Sequence, residues 1–233
     1  MKAKFLIKNV MILSALAGAS HLVAADSKSD VAKRLDESAI ILNEVMSAPD
    51  KGIPEDLLSK ANCVVVVPGM KKGAFIVGAK YGKGFFTCRT GRDSWSAPGA
   101  VRVEGGSVGF QIGGSETDVV LLVMNQRGAD RLLQSQFTLG GEGDVAAGPV
   151  GRSATAQTDA KFTAEILAWS RSRGVFAGIS LQGATLRQDL DDNEALYGKR
   201  IENQDIVKSR MAAPPEANRL LTLLKRYSPR EQK

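Results

Sequence analysis

Asp189, Asp191, Asp192 and Glu194 crowd around Asn193. Hard oxygen donors at that density could hold Ca²⁺. The spacing is not that of an EF-hand loop, and the run directly precedes Ala195-Leu196. Acids in a first helical turn meet the positive end of the helix dipole, so helix capping is the preferred reading and a cation site the alternative. Cys63 and Cys88 form no CxxC motif, so redox chemistry is not indicated. They remain open between a disulfide, stabilising by roughly 3 kcal/mol, and buried thiols acting as small hydrophobes. The glycines build neither GxGxxG nor a Walker-type phosphate loop; Gly82-Lys83-Gly84 runs into Phe85 and Phe86, which suits a hairpin. No catalytic residue, metal-ligand set or cofactor motif is assigned.

The single histidine, His21, lies in a segment with the three parts of an export signal. Lys2, Lys4 and Lys8 precede an apolar stretch, Val10–Ala19, and Val23-Ala24-Ala25 suits cleavage after Ala25. The apolar run is too short for about 30 Å of hydrocarbon. Domains are therefore expected as residues 1–25, a signal peptide; 26–198, the folded body; and 199–233, a basic helical tail. A mature chain without histidine has no Ser-His-Asp triad, Cys-His pair or His-ligated metal. Losing the three leader lysines lowers the formal charge from +6 to +3. Export to a periplasmic or extracellular compartment, peripheral to a membrane, is expected.

What remains is charge beside apolar surface. Val31, Leu35, Ala39, Leu42 and Met46 recur at spacings of four, four, three and four, one apolar stripe of a helix over Asp30–Met46. Lys33 and Arg34 flank it. Lys71 and Lys72, beside Met70 and Phe75, are expected at a loop tip. From Lys199 onward nine basic residues face four acidic ones, around the leucines of 220–224. Such a tail can dock on the body or lie on anionic lipid, where each basic residue contributes about 1 kcal/mol. Nucleic acid is set aside, since no aromatic interleaving accompanies the charge. Trp95 and Trp169 are read as packing residues.

Positioning these groups falls to a β-rich middle. Cys-Val-Val-Val-Val from Cys63 is a continuous β-branched run, as in a strand buried on both faces. Pro68-Gly69 reads as its end, two strands joined near Gly82-Lys83-Gly84 are expected in Gly73–Gly91, and three more strand-like runs in Trp95–Gly114 and Thr117–Asn125. Three more are expected at Arg152–Thr158, Phe162–Ser170 and Val175–Leu186, with helices at Glu55–Ala61, Arg127–Gln136, Asp189–Tyr197 and Glu216–Arg226. Most of the 24 glycines lie between Gly69 and Gly143, which suits bulges and strong coiling. The expected fold is α+β: a strongly coiled antiparallel β-sheet or barrel flanked by N- and C-terminal helices.

The order of motifs is more specific than any one of them. ANCVVVVPGMKKGAFIVGAKYGKG, WSAPGAVRVEGGSVGFQIGGSETDVVLLVMN, FTLGGEGDVAAGPVGR and SRSRGVFAGISLQGATL followed by NEALYG resemble the SYLF domain family, to which a yeast actin-patch protein also belongs; the likeness runs from about Asp30 to Lys199. The resemblance implies a lipid-binding module. Eukaryotic members bind phosphoinositides and some bind actin, while exported bacterial relatives are linked to phospholipid at the envelope. Val31–Met46 occupies the place of an N-terminal amphipathic helix needed for lipid contact in some members.

The expected function is thus non-enzymatic association with an acidic phospholipid surface. Val31, Leu35, Leu42 and Met46 would enter the headgroup boundary, and Lys33, Arg34, Lys71 and Lys72 would meet phosphates. No cofactor is expected, and no nucleic-acid partner. The alternative is a structural or interaction protein of the cell envelope, with envelope protein partners and no direct lipid contact.

Overall fold

The computed structural model describes residues 28–48, 52–74, 77–108, 113–139, 145–147, 165–172, 175–177, 181 and 183–229. The leader, the strand expected over Arg152–Thr158, and Phe75, expected beside the Lys71-Lys72 loop tip, lie outside them.

Helix α1 covers 28–47. It is followed by α2 (Glu55–Lys60), β1 (Cys63–Ala74), β2 (Val77–Cys88), β3 (Gly99–Val108), β4 (Gly113–Val123) and α3 (Gln126–Leu132). Then come β5 (Gln136–Thr138), β6 (Val145–Ala147), β7 (Ile166–Ser172), β8 (Val175–Ala177) and β9 (Ala184–Gln188). Helices α4 (Leu190–Tyr197), α5 (Asn203–Lys208) and α6 (Asn218–Tyr227) close the chain, with a 3₁₀ turn at Pro215–Ala217 before α6.

The fold is α+β, a curled half-barrel sheet with helices from both ends of the chain. Among the described residues nine strands run in the order β5-β9-β3-β2-β1-β4-β7-β6, with β8 also on β7. All pairs are antiparallel except β6 with β7. Alternation along each strand divides the core in two. Val64, Val66, Phe85, Val120, Leu122, Leu167 and Trp169 face α1, α2 and α6. Cys63, Val65, Val67, Phe86, Leu121, Ile166 and Ala168 face the other way, toward Leu132, Phe137 and Leu139. The β-branched run at Cys63 is indeed covered on both sides.

Pro68-Gly69 does not end β1. Pairing with β4 slips between Val67 and Met70, and pairing with β2 slips between Val66 and Lys71, so the dipeptide is a bulge inside one long strand. Proline lacks the donor a ladder needs, and Gly69 takes φ +53° while its N–H donates to Asp118 Oδ1 at 2.9 Å. Lys71 and Lys72 are consequently strand residues, not the loop tip expected of them, and Gly82-Lys83-Gly84 is not the expected hairpin turn but the middle of β2, paired with Val103, Arg102 and Val101 of β3.

Cys63 and Cys88 are cross-strand partners joined by a disulfide, both buried. Helix α4 is capped at both ends: Asp189 accepts from the Asp192 N–H, and Gly198 closes it at φ 69°. Sequence periodicity missed α5, whose Asn203 joins Asn193 in hydrogen bonds to both backbone groups of Ala100 on β3.

Candidate functional site

Helix α1 presents three faces. Its inner stripe, Val31, Leu35, Ala39, Leu42 and Val45, is buried in the helix-side core. One flank carries Asp36, Asn43 and Ser47 to α6: Arg219 meets Asp36 at 2.6 Å, and Tyr227 Oη donates to Asn43 Oδ1 at 2.9 Å. The other flank, Arg34, Glu37, Ile40 and Ile41, overhangs the sheet.

Beneath that overhang the sheet changes character. On the helix side, Phe85 gives way to Lys83 and Tyr81 along β2, Val120 to Asp118 and Glu116 along β4, Trp169 to Arg171 along β7, and Val66 to Lys71 past the bulge of β1. All four ladders turn from apolar to charged at one level. The result is a cleft of about 550 Å³ with Pro68, Gly69 and Gly82 among its lining residues. Gly82 lines the cleft with backbone alone: a Cβ there would point away from it, to 2.8 Å from Val67 Cγ1 in the opposite half of the core.

Most charges in the cleft are already paired. Arg34 binds Asp192 at 2.5 Å, and Lys83 binds Asp189 at 2.8 Å and Asp192 at 2.9 Å. Burial alone would lower the Lys83 pKa; the two carboxylates outweigh it and hold the ammonium above its usual value. For Asp189, burial would raise the pKa, and the Lys83 ammonium together with the Asp192 N–H bring it below the ordinary carboxylate value. Arg171 binds Asp118 at 2.7 Å and also pairs with Glu44 of α1. The acidic cluster is thus a helix cap whose members face cations: Asp191 and Glu194 pair with Arg200. Among the described residues no three or more His, Cys, Asp or Glu side chains converge as a metal site.

Lys71 and Lys72 differ from the rest. Neither has an ion-pair partner among the described residues. Lys71 lies on the helix side, opposite Tyr81 and Glu116; Lys72 lies on the other side, opposite Lys80 and Ser115. Like charges directly opposite repel, and burial followed by the Lys72 charge lowers the Lys80 pKa. Tyr81, 46% exposed, stands beside Lys71. One end of the β1–β2 ladder therefore carries three lysines and an exposed aromatic ring.

The residues singled out from sequence separate accordingly. Arg34 and Lys71 share the cleft. Lys72 is on the opposite face of the same strand. Lys33 points to solvent, 3.9 Å from Glu37. Val31, Leu35 and Leu42 are inside the core, with Met46 packed at its edge. Sequence reasoning missed Lys80, Tyr81, Lys83 and Arg171; a period of two counted back from Phe85 along one unbroken β2 would have found Lys83 and Tyr81. Trp169 is core, whereas Trp95 lies at the rim under the Arg89 guanidinium, 4.4 Å from the ring centre. No helix among the described residues is long and apolar enough to cross a membrane.

A curled sheet whose charged end lies under an N-terminal amphipathic helix is the frame on which family likeness can be judged. The family model described as "Ysc84: Las17-binding protein actin regulator" matches residues 104–227. The chain belongs to this Ysc84 (SYLF) family. It is 33% identical over 183 residues to "SH3 domain-containing YSC84-like protein 1" of Rattus norvegicus, covering 78% of this chain and 54% of that protein. It is 31% identical over 201 residues to "Protein YSC84" of Saccharomyces cerevisiae, covering 85% of this chain and 42% of the relative. "LAS seventeen-binding protein 3" of the same yeast matches at 31% over 201 residues, 85% of this chain and 43% of that protein. The chain spans about half the length of the curated relatives it matches.

Proposed function

We propose that this protein is an exported, non-enzymatic module that associates with acidic phospholipid surfaces through the charged end of β1 and β2. The observation that carries the reading is the placement of Lys71 and Lys72, without ion-pair partners among the described residues, beside Lys80 and the exposed Tyr81. Three lysines near headgroups contribute about 3 kcal/mol, and a tyrosine ring suits the interface between water and hydrocarbon. The leader sequence and the disulfide support export to an oxidising compartment.

Magnitudes order the two expected contacts. Withdrawing the inner stripe of α1 into water costs roughly 10 kcal/mol at about 2 kcal/mol per buried side chain. Three lysines cannot offset that. Contact therefore begins at the lysines, and α1 follows only where acyl chains rebury its stripe.

Co-sedimentation of the mature protein with vesicles, with and without phosphatidylglycerol, tests this reading. Retention only with the anionic lipid is expected; equal recovery in the supernatant from both would end it. The burial of Val31, Leu35 and Leu42 favours the second reading, an envelope structural or interaction protein with no lipid contact. That reading expects no retention on either vesicle.

A further inference from the structure

The flank of α1 facing α6 uses one row of positions. Asp36, Asn43 and Ser47 are seven and four residues apart, a single helical stripe. They meet Arg219 at the start of α6 and Tyr227 at its end, so the two helices run in the same direction. The Tyr227 hydroxyl also lies 3.3 Å from Ser47 Oγ. Leu220 and Leu224 insert between these polar ends into the same core as Val31, Leu35 and Leu42. Arg89 ties the end of the strap down, donating to the Ser228 carbonyl at 3.0 Å and stacking on Trp95.

We propose that α6 is a strap that holds α1 on the sheet and sets how readily its apolar stripe can leave for a lipid surface. The inference rests on the lipid reading above and supplies its control. On the opposite flank, Arg34 and Glu44 are bound through the partly buried side chains of Asp192 and Arg171. The ion pair on the α6 side is the weaker one, because Asp36 and Arg219 are both about half exposed. A helix held tightly along one edge and loosely along the other is freed by loosening the second.

Arg219→Asp tests the strap by the sign of its effect. The substitution makes the chain more acidic, so simple electrostatics predicts weaker capture by phosphatidylglycerol-containing vesicles. The strap predicts stronger capture, by roughly two- to fivefold, the range an exposed ion pair supports. It also predicts faster amide exchange in 28–47 without vesicles. The charge-swapped variant, Asp36→Arg with Arg219→Asp, should return both readouts to those of the parent. Unchanged or weaker capture by Arg219→Asp, or unchanged exchange, overturns the strap. Faster exchange with no vesicle capture by any variant, the parent included, overturns the lipid reading and leaves the mechanical link between α6 and α1 standing.

Discussion

Arg34 of α1 and Asp192 of α4 lie 158 residues apart in the chain and meet at 2.5 Å. Lys83 of β2 joins the same carboxylate from below, so one acid ties an N-terminal helix, a central strand and a C-terminal helix together. Removing one partner of a buried ion pair leaves the other charged and unpaired, at about 3 to 5 kcal/mol when burial is complete. Arg34 keeps about a fifth of its exposure, so Asp192→Asn should cost about 2 kcal/mol. Urea denaturation reads this directly; a loss under about 0.5 kcal/mol would mean that the network does not hold α1.

The same network gives stability a pH dependence with two limbs. Asp189 titrates below its ordinary value in the fold. Its contribution is present above the unfolded carboxylate pKa of about 4 and is lost as pH falls through the lower folded value. Lys83 titrates above its ordinary value. Its contribution is complete below about pH 10 and is lost as pH rises through the folded value. Urea midpoints measured against pH should fall at both extremes, and Asp189→Asn should flatten the acid limb and also shrink the alkaline one, because Asp189 is one of the two carboxylates that raise Lys83.

The Cys63–Cys88 bridge closes a loop of sequence separation 25 across β1 and β2. In the chain-entropy account that is worth about 3 kcal/mol. The double variant Cys63→Ala with Cys88→Ala should lose that much, and added dithiothreitol should leave the variant unaffected while lowering the parent toward it.

At Gly84 the backbones of β1 and β2 approach too closely for a side chain. A Cβ there would lie 2.1 Å from the Val66 carbonyl oxygen and 2.8 Å from Val67 Cα. Backbone cannot step aside as a flexible side chain can, so Gly84→Ala should cost at least about 2 kcal/mol. Gly73, where nothing lies within 4 Å of the same position, should accept alanine with little change. Thermal melts of the two variants make the comparison.

Local patterns were legible where one element satisfied them alone. The stripe of α1 drew its helix to within about two residues, and the Asp189 run was a cap, as acids before a short helix suggest. The continuous run at Cys63 announced a strand buried on both sides. Failures came where meaning lay in a distant partner. Pro68-Gly69 carries the same residues whether it ends a strand or bulges within one; Asp118, some 49 residues away, decides it. Misplacing that bulge also misplaced Lys71 and Lys72. Helix α5 has too few residues for periodicity to show. Nothing near Asp192 signals Arg34 or Lys83, because their pairing exists only once the sheet has brought three elements together.

The most direct measurement compares two double charge reversals of equal size on phosphatidylglycerol vesicles. Lys71→Glu with Lys72→Glu alters the end of β1, whereas Lys199→Glu with Lys208→Glu alters exposed lysines beyond α4 and at the end of α5. Retention lost in the first variant and kept in the second is the predicted result. Equal loss in both, or retention unchanged in the first, would contradict a membrane contact at Lys71 and Lys72.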